Sequence, residues 1–168
     1  TESGEIVFVG SNSYIKRALL LGFLRKTYGD RFVHVGGRSE VRGEKLNDIV
    51  TSAKIVVGDS VPSDNYWSNR IYEMLGRGAF LIHPKVEGLE KEFTYYKHFV
   101  PFDYGHFAQL KMIIDYYLVH DKEREAIRSA GHWYCKNNYT YTKRAEQLIN
   151  IVQKYVIQHN RVKRGTLG

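Results

Sequence analysis

The feature that most constrains this chain is a series of short apolar runs, stopped by glycine or proline and separated by stretches with helical spacing. Residues 5–10 (EIVFVG) read as a buried strand ending in glycine. Residues 14–28 follow with Ile15, Ala18, Leu19, Gly22 and Phe23 at helical spacing and close on Gly29. Residues 31–35 (RFVHV) form a second strand, ended by Gly36 and Gly37, and 38–45 a polar loop. A short helix over 46–52 leads to a third strand, 54–57 (KIVV), ended by Gly58 and Asp59. A loop with Pro62 precedes a helix over 69–77, and residues 79–83 (AFLIH) make a fourth strand halted by Pro84. Residues 98–102 (HFVPF) give a fifth, whose Pro101 favours a sheet edge. Beyond Asp103 the pattern is helical throughout. The helices carry Phe107, Leu110, Ile113, Ile114, Tyr117 and Leu118, then residues 122–135, then 142–158 with Ala145, Leu148, Ile149, Val152, Tyr155 and Val156.

Short apolar strands alternating with helices predict an α/β fold, a Rossmann-like parallel sheet of about five strands covered on both faces, with a helical carboxyl-terminal third. In such sheets ligands bind at the carboxyl ends of the strands. That places a site at the loops after Val9, Val35 and Val57, beside the helix that starts near Asn69. At 168 residues the chain suffices for one domain, here 1–158 with a basic tail over 159–168.

Composition narrows the partners. With 43% apolar and 26% charged residues the chain has the makings of a core, and no apolar run approaches a membrane span. The lone cysteine, Cys135, excludes an intrachain disulfide and fits a reducing cytoplasm; it reads as a small buried hydrophobe in preference to a nucleophile. From Lys136 onward seven basic residues stand against one acid, Glu146. A net charge of +7 suits nucleotide phosphates, nucleic acid or an acidic lipid face, so peripheral membrane contact stays among the readings. The 13 tyrosines could stack on bases or sugars, or pack in the core. None of the seven histidines pairs closely with another His or Cys, no Asp-x-Asp motif is present, and no metal or cofactor is expected.

Two segments carry candidate chemistry. Gly10 and Ser11 open the loop between the first strand and its helix. A glycine there lets an anion approach the backbone, and Lys16 and Arg17 add charge one turn on. An ordinary turn capped by Ser13 is the alternative. In the second segment Ser68 or Asn69 can cap a helix, and Arg70 and Glu73 lie three apart on one face. The guanidinium could take a phosphate and the carboxylate accept from ribose hydroxyls, or Glu73 could simply pair with Arg70 or Arg77.

The run Arg70-Ile71-Tyr72-Glu73-Met74-Leu75-Gly76-Arg77-Gly78-Ala79-Phe80-Leu81-Ile82 resembles the donor-site helix and strand of GT-B glycosyltransferases, nearest to the group-one branch that includes spore-maturation-type enzymes. The likeness continues through Pro101-Phe102-Asp103, Ile114 to Leu118, Asp121 with Arg124, Ala130-Gly131, and Tyr139-Thr140-Tyr141 with Arg144. It implies one half of a GT-B fold that binds a nucleotide-diphosphate sugar as substrate and needs no metal. Glu73 would hold the donor ribose. Arg70, Ser68 and Asn69 would lie at the diphosphate, and Gly10, Ser11 and Lys16 or Arg17 would face the sugar and phosphates. Residues 37–43, with Arg42, would frame the base. Many relatives carry another carboxylate eight residues before the ribose glutamate; here that position is Asn65, beside Asp64. The acceptor would come from an amino-terminal Rossmann-like domain or a partner chain. A non-catalytic nucleotide- or glycan-binding module and a basic nucleic-acid-binding protein are the competing readings.

Overall fold

A computed structural model describes residues 4–12, 15–36, 41–60 and 63–165. Five parallel strands, β1 (Ile6–Val9), β2 (Phe32–Val35), β3 (Ile55–Val57), β4 (Leu81–Pro84) and β5 (Val100–Phe102), lie in the order β2-β1-β3-β4-β5. The register pairs Ile6 with Phe32 on one side and with Ile55 on the other. The expected parallel sheet is therefore present, and Pro101 sits on its edge strand, where a missing N–H costs no ladder bond. The strand order reverses between β1 and β3, which opens a crevice at their carboxyl ends.

Strand periodicity divides the core. Ile6 and Phe8 of β1, Ile55 and Val57 of β3, and Phe80 and Ile82 of the β4 segment face one layer. That layer is formed by α1 (Ile15–Tyr28) through Leu20, Leu21 and Leu24, and by α5 (Phe107–Val119) through Leu110, Ile114 and Tyr117. Val7, Val56 and Leu81 face the other layer, built from α2 (Gly43–Ser52), α3 (Arg70–Gly76) and the short α4 (Leu89–Glu92). Long helix α6 (Asp121–Asn138) spans both, burying Ile127 against the first layer and Cys135 against the second. Cys135 is a core residue as expected: burial pushes its thiol up to about 11, and it donates to the Tyr72 carbonyl at 3.2 Å.

Two helices depart from the sequence pattern. In α1 the apolar residues at helical spacing are not the buried ones: Ile15, Ala18, Leu19 and Gly22 are exposed, and the inner face is Arg17, Leu20, Leu21, Leu24 and Tyr28. The helix is rotated because Arg17 must reach an acidic partner under the sheet rim. The last helix, α7 (Tyr141–Gly165), continues into the segment read as a basic tail. Its apolar stripe of Leu148, Ile149, Val152, Tyr155 and Val156 is exposed. Elsewhere α2 begins at Gly43, inside the stretch read as a polar loop.

Gly131 marks the tightest helix contact. A Cβ there would fall 2.1 Å from the His98 carbonyl oxygen and 3.1 Å from Leu75. Gly22, exposed in mid-helix, has nothing within 4 Å of its would-be Cβ. Chemical denaturation of Gly131→Ala should show a loss of about 1–3 kcal/mol from overpacking. Gly22→Ala should gain about 0.5–1 kcal/mol through helix propensity. Equal stabilities for the two variants would contradict this packing.

Candidate functional site

The loops gather where the topology predicts. After β1, Gly10 adopts a φ of +148°, its N–H donating to the Val35 carbonyl at 2.8 Å. A side chain at Gly10 would meet the Arg70 guanidinium at 2.8 Å, so the glycine makes room for that arginine. Gly36, after β2, lies against the Gly10 carbonyl and is equally intolerant of a Cβ. Strand β3 runs into Gly58, Asp59 and Ser60, and the last two are buried.

Asp59 organises this rim. Its side chain has no exposed surface, and its Oδ2 accepts from Arg17 Nε at 2.9 Å. Its Oδ1 lies 3.8 Å from Arg70 Nη1. Arg17 also donates to the Ser11 carbonyl at 2.8 Å and to the Ser11 hydroxyl at 3.3 Å, tying the β1 loop to the same centre. Arg17 is 10% exposed and Arg70 25%, so Arg70 is the cation that reaches outward. His83, at the end of β4, is buried beside Asp59, its Nδ1 2.8 Å from the Pro84 carbonyl. Burial pushes its pKa down to about 4, which keeps the ring neutral near pH 7.

Arg70 lines both this crevice and an open cleft of about 510 Å³. Ser68, Asn69 and Glu73 share that cleft, and Trp67, Tyr72, Tyr139, Tyr141 and Arg144 complete its walls. The aromatic wall is cross-braced. Trp67 Nε1 donates to the Tyr72 hydroxyl at 2.8 Å, the Arg144 guanidinium lies 4.8 Å from the Tyr139 ring, and Tyr139 donates to Glu92 at 2.7 Å. Burial and the Glu92 carboxylate hold the Tyr139 phenol well above its usual range.

The expected site residues thus divide. Ser68, Asn69, Arg70 and Glu73 meet in one cleft. Ser68 accepts from the Arg70 N–H at 3.3 Å, whereas Asn69, itself helical in backbone, makes no side-chain cap. Intrahelical pairing of Glu73 is not seen: among the described residues its carboxylate makes no ion pair, Arg70 faces Asp59, and Arg77 is bonded to Asn47 and Gly43 of α2. Gly10, Ser11 and Arg17 belong to the rim, where Arg17 is buried, Gly10 half-buried and Ser11 exposed. Lys16 is exposed on α1 and lines neither cavity, because the turn that brings Arg17 inward carries its neighbour away. Arg42 is exposed ahead of α2 and lines neither cavity; of the stretch 37–43 read as framing the base, 37–40 lie outside the described residues, as does Ser13. Asn65 adopts a φ of +55° and abuts Gly88, serving a turn outside the cleft. Asp59 and His83 join this rim from strand ends: in the sequence Asp59 stops the third strand and His83 is the last residue of the fourth. Among the described residues no group of three His, Cys, Asp or Glu could hold a metal ion, and no helix is long and apolar enough to cross a membrane.

Comparison with known proteins bears on the family and the fold. Residues 16–150 match the family model described as glycosyl transferase-like. No curated protein matches the chain. Among solved structures, Anabaena HepE in complex with UDP-glucose is similar over 88% of this chain and 40% of its own, at 13% identity and a TM-score of 0.66. Sucrose-phosphate synthase from Thermosynechococcus elongatus aligns over 92% of this chain and 39% of its own (17% identity, TM-score 0.66). A glycosyltransferase from Rickettsia africae aligns over 91% and 48% (12%, 0.69). The fold is that of one GT-B half, and the chain spans less than half the length of these structures.

The buried neutral His83 makes stability depend on pH. In the unfolded chain an imidazole binds its proton near pH 6.5, in the fold only near 4. The unfolded state therefore holds more protons between these values, so stability is full above 6.5 and falls as pH drops toward 4. Denaturant titration at pH 7 and pH 4.5 should show a loss on the order of 2 kcal/mol from this group. His83→Gln should lack that share of the difference; an unchanged pH dependence in the variant would exclude a neutral buried imidazole.

Proposed function

The chain belongs to the glycosyl transferase-like family, and from that premise we propose that it is the donor-binding half of a glycosyltransferase, using a nucleotide-diphosphate sugar. The observation that carries this reading is the cleft in which Arg70 and Glu73, one helical turn apart, are turned to different tasks. Glu73 is exposed and without an ion pair among the described residues, so its oxygens are available to accept from the ribose hydroxyls. Arg70, reaching from the buried rim into the same cleft, meets the diphosphate, with Ser68 and Asn69 beside it. HepE, a structural neighbour, is solved with UDP-glucose, which supports a nucleotide-sugar donor here.

On this reading the half-domain orients the donor and stabilises the negative charge that gathers on the departing diphosphate. Arg70 supplies that stabilisation from a preset position, without a metal. The acceptor, and any general base, come from a second Rossmann-like domain or a partner chain, for which the exposed stripe of α7 offers a packing surface. The likeness of residues 70–82 supports reading the chain within the spore-maturation-type branch, and the single buried cysteine accords with a cytoplasmic location.

Titration calorimetry with UDP, GDP and other nucleotides tests the proposal. One nucleoside diphosphate should bind in the micromolar to millimolar range, and Glu73→Ala should weaken it about tenfold or more, roughly 1.4 kcal/mol. Unchanged binding by Glu73→Ala would remove the ribose assignment. Oligonucleotide binding that falls steeply with salt, without nucleotide binding, would favour a nucleic-acid role instead.

A further inference from the structure

We infer that Asp59 is a positioning residue: anchored from behind by Arg17, it holds the Arg70 guanidinium in register for the donor diphosphate. This rests on the donor-binding reading above and deepens it. Three elements meet at the carboxylate. Arg17 comes from the first turn of α1, Asp59 from the end of β3, and Arg70 opens α3. The junction lies at the switch point between β1 and β3.

The carboxylate is wholly enclosed, and its two oxygens serve different arginines: Oδ2 at 2.9 Å from Arg17 Nε, Oδ1 at 3.8 Å from Arg70 Nη1. Arg17 is committed to this centre, donating also to the Ser11 carbonyl and hydroxyl and lying 5.8 Å from the Phe8 ring. Of the two arginines, Arg70 is the one that is both paired inside and open to the cleft. Gly10 supplies the room, because any side chain there would occupy the guanidinium's place. Buried ion pairs add little net stability over apolar packing, so enclosing two guanidiniums and a carboxylate at a ligand-binding rim is a device for orientation. The two guanidiniums carry one positive charge more than the carboxylate between them, and Arg70 presents its own to the cleft, which suits a polyanion.

Asparagine separates geometry from size. Its amide has one acceptor oxygen; if that oxygen keeps Arg17, the –NH2 group faces Arg70, donor against donor. The affinity of wild-type chain and Asp59→Asn is measured for the tightest binder among UDP, GDP and ADP, and for its matching nucleoside. Asp59→Asn should weaken the diphosphate by roughly fivefold or more while leaving the nucleoside unchanged. That loss should largely vanish in an Arg70→Gln background, because Asp59 acts through Arg70. Equal or tighter diphosphate binding by Asp59→Asn would overturn the inference, since the carboxylate would then merely oppose the ligand's charge. So would a loss that persists in full without Arg70. Should Asp59→Asn fail to fold, wild-type arginine Nε–H spectra, assigned with Arg17→Lys and Arg70→Gln, decide the matter. The Arg70 signal should shift with diphosphate and not with nucleoside while the Arg17 signal persists; an unmoved Arg70 signal at saturation overturns it. Absence of any diphosphate binding by wild type would instead sink the donor reading itself.

Discussion

A carboxylate with no exposed surface, set between two guanidiniums, is the constraint around which the rest of this molecule is arranged. Asp59 fixes how α1 is rotated, because Arg17 must point inward to meet it, and this pushes Ile15 and Leu19 into solvent. It also fixes where α3 begins, because Arg70 must lie beside the same carboxylate. Taking such groups out of water is costly unless every partner is in place, so the elements carrying them have little freedom to shift. The glycines at the strand ends follow from the same demand: Gly10 and Gly36 let two loops and one arginine occupy a space that a single extra methyl would fill.

The architecture was legible in the sequence because its signals are local. Apolar runs ended by Gly10, Gly36 and Pro84 are each a strand with its stop, and Pro101 declares its edge position through a missing N–H. The site was legible in part. Ser68, Asn69, Arg70 and Glu73 are close in sequence and needed only a helix to bring them together. The Arg17–Asp59 pair spans 42 residues and is made by sheet topology, so no local spacing betrays it. The misread face of α1 has the same root: periodicity counts an arginine as solvent-facing, and here the arginine is the most consequential buried residue on the helix. Lys16 and Arg17 were indistinguishable as neighbouring cations until a long-range partner chose between them.

The contrast between Arg70 and Glu73 shows how one helical turn can serve two chemistries. Three residues apart, they are close enough to pair, an interaction worth about 0.2–0.5 kcal/mol on an exposed helix. A buried carboxylate is a stronger competitor for Arg70, since the same attraction grows as water is excluded. Drawing the guanidinium toward Asp59 leaves the Glu73 carboxylate in the cleft. The buried acid thereby leaves the exposed one open to the cleft, so that one helical turn presents groups of opposite charge there.

Helix α7 applies similar logic at the scale of the whole chain. Its exposed apolar stripe runs through Leu148, Ile149, Val152, Tyr155 and Val156, a period suited to packing along one surface. Leaving that much apolar area in water forgoes stabilisation that α1, α5 and α6 all collect from the sheet. The helix is joined to the cleft at its start, where Tyr141 and Arg144 line it together with Glu73. A second domain settling on the stripe would therefore also set the position of the aromatic wall. On the proposed reading, burial of the stripe and closure over a nucleotide sugar would then be one event.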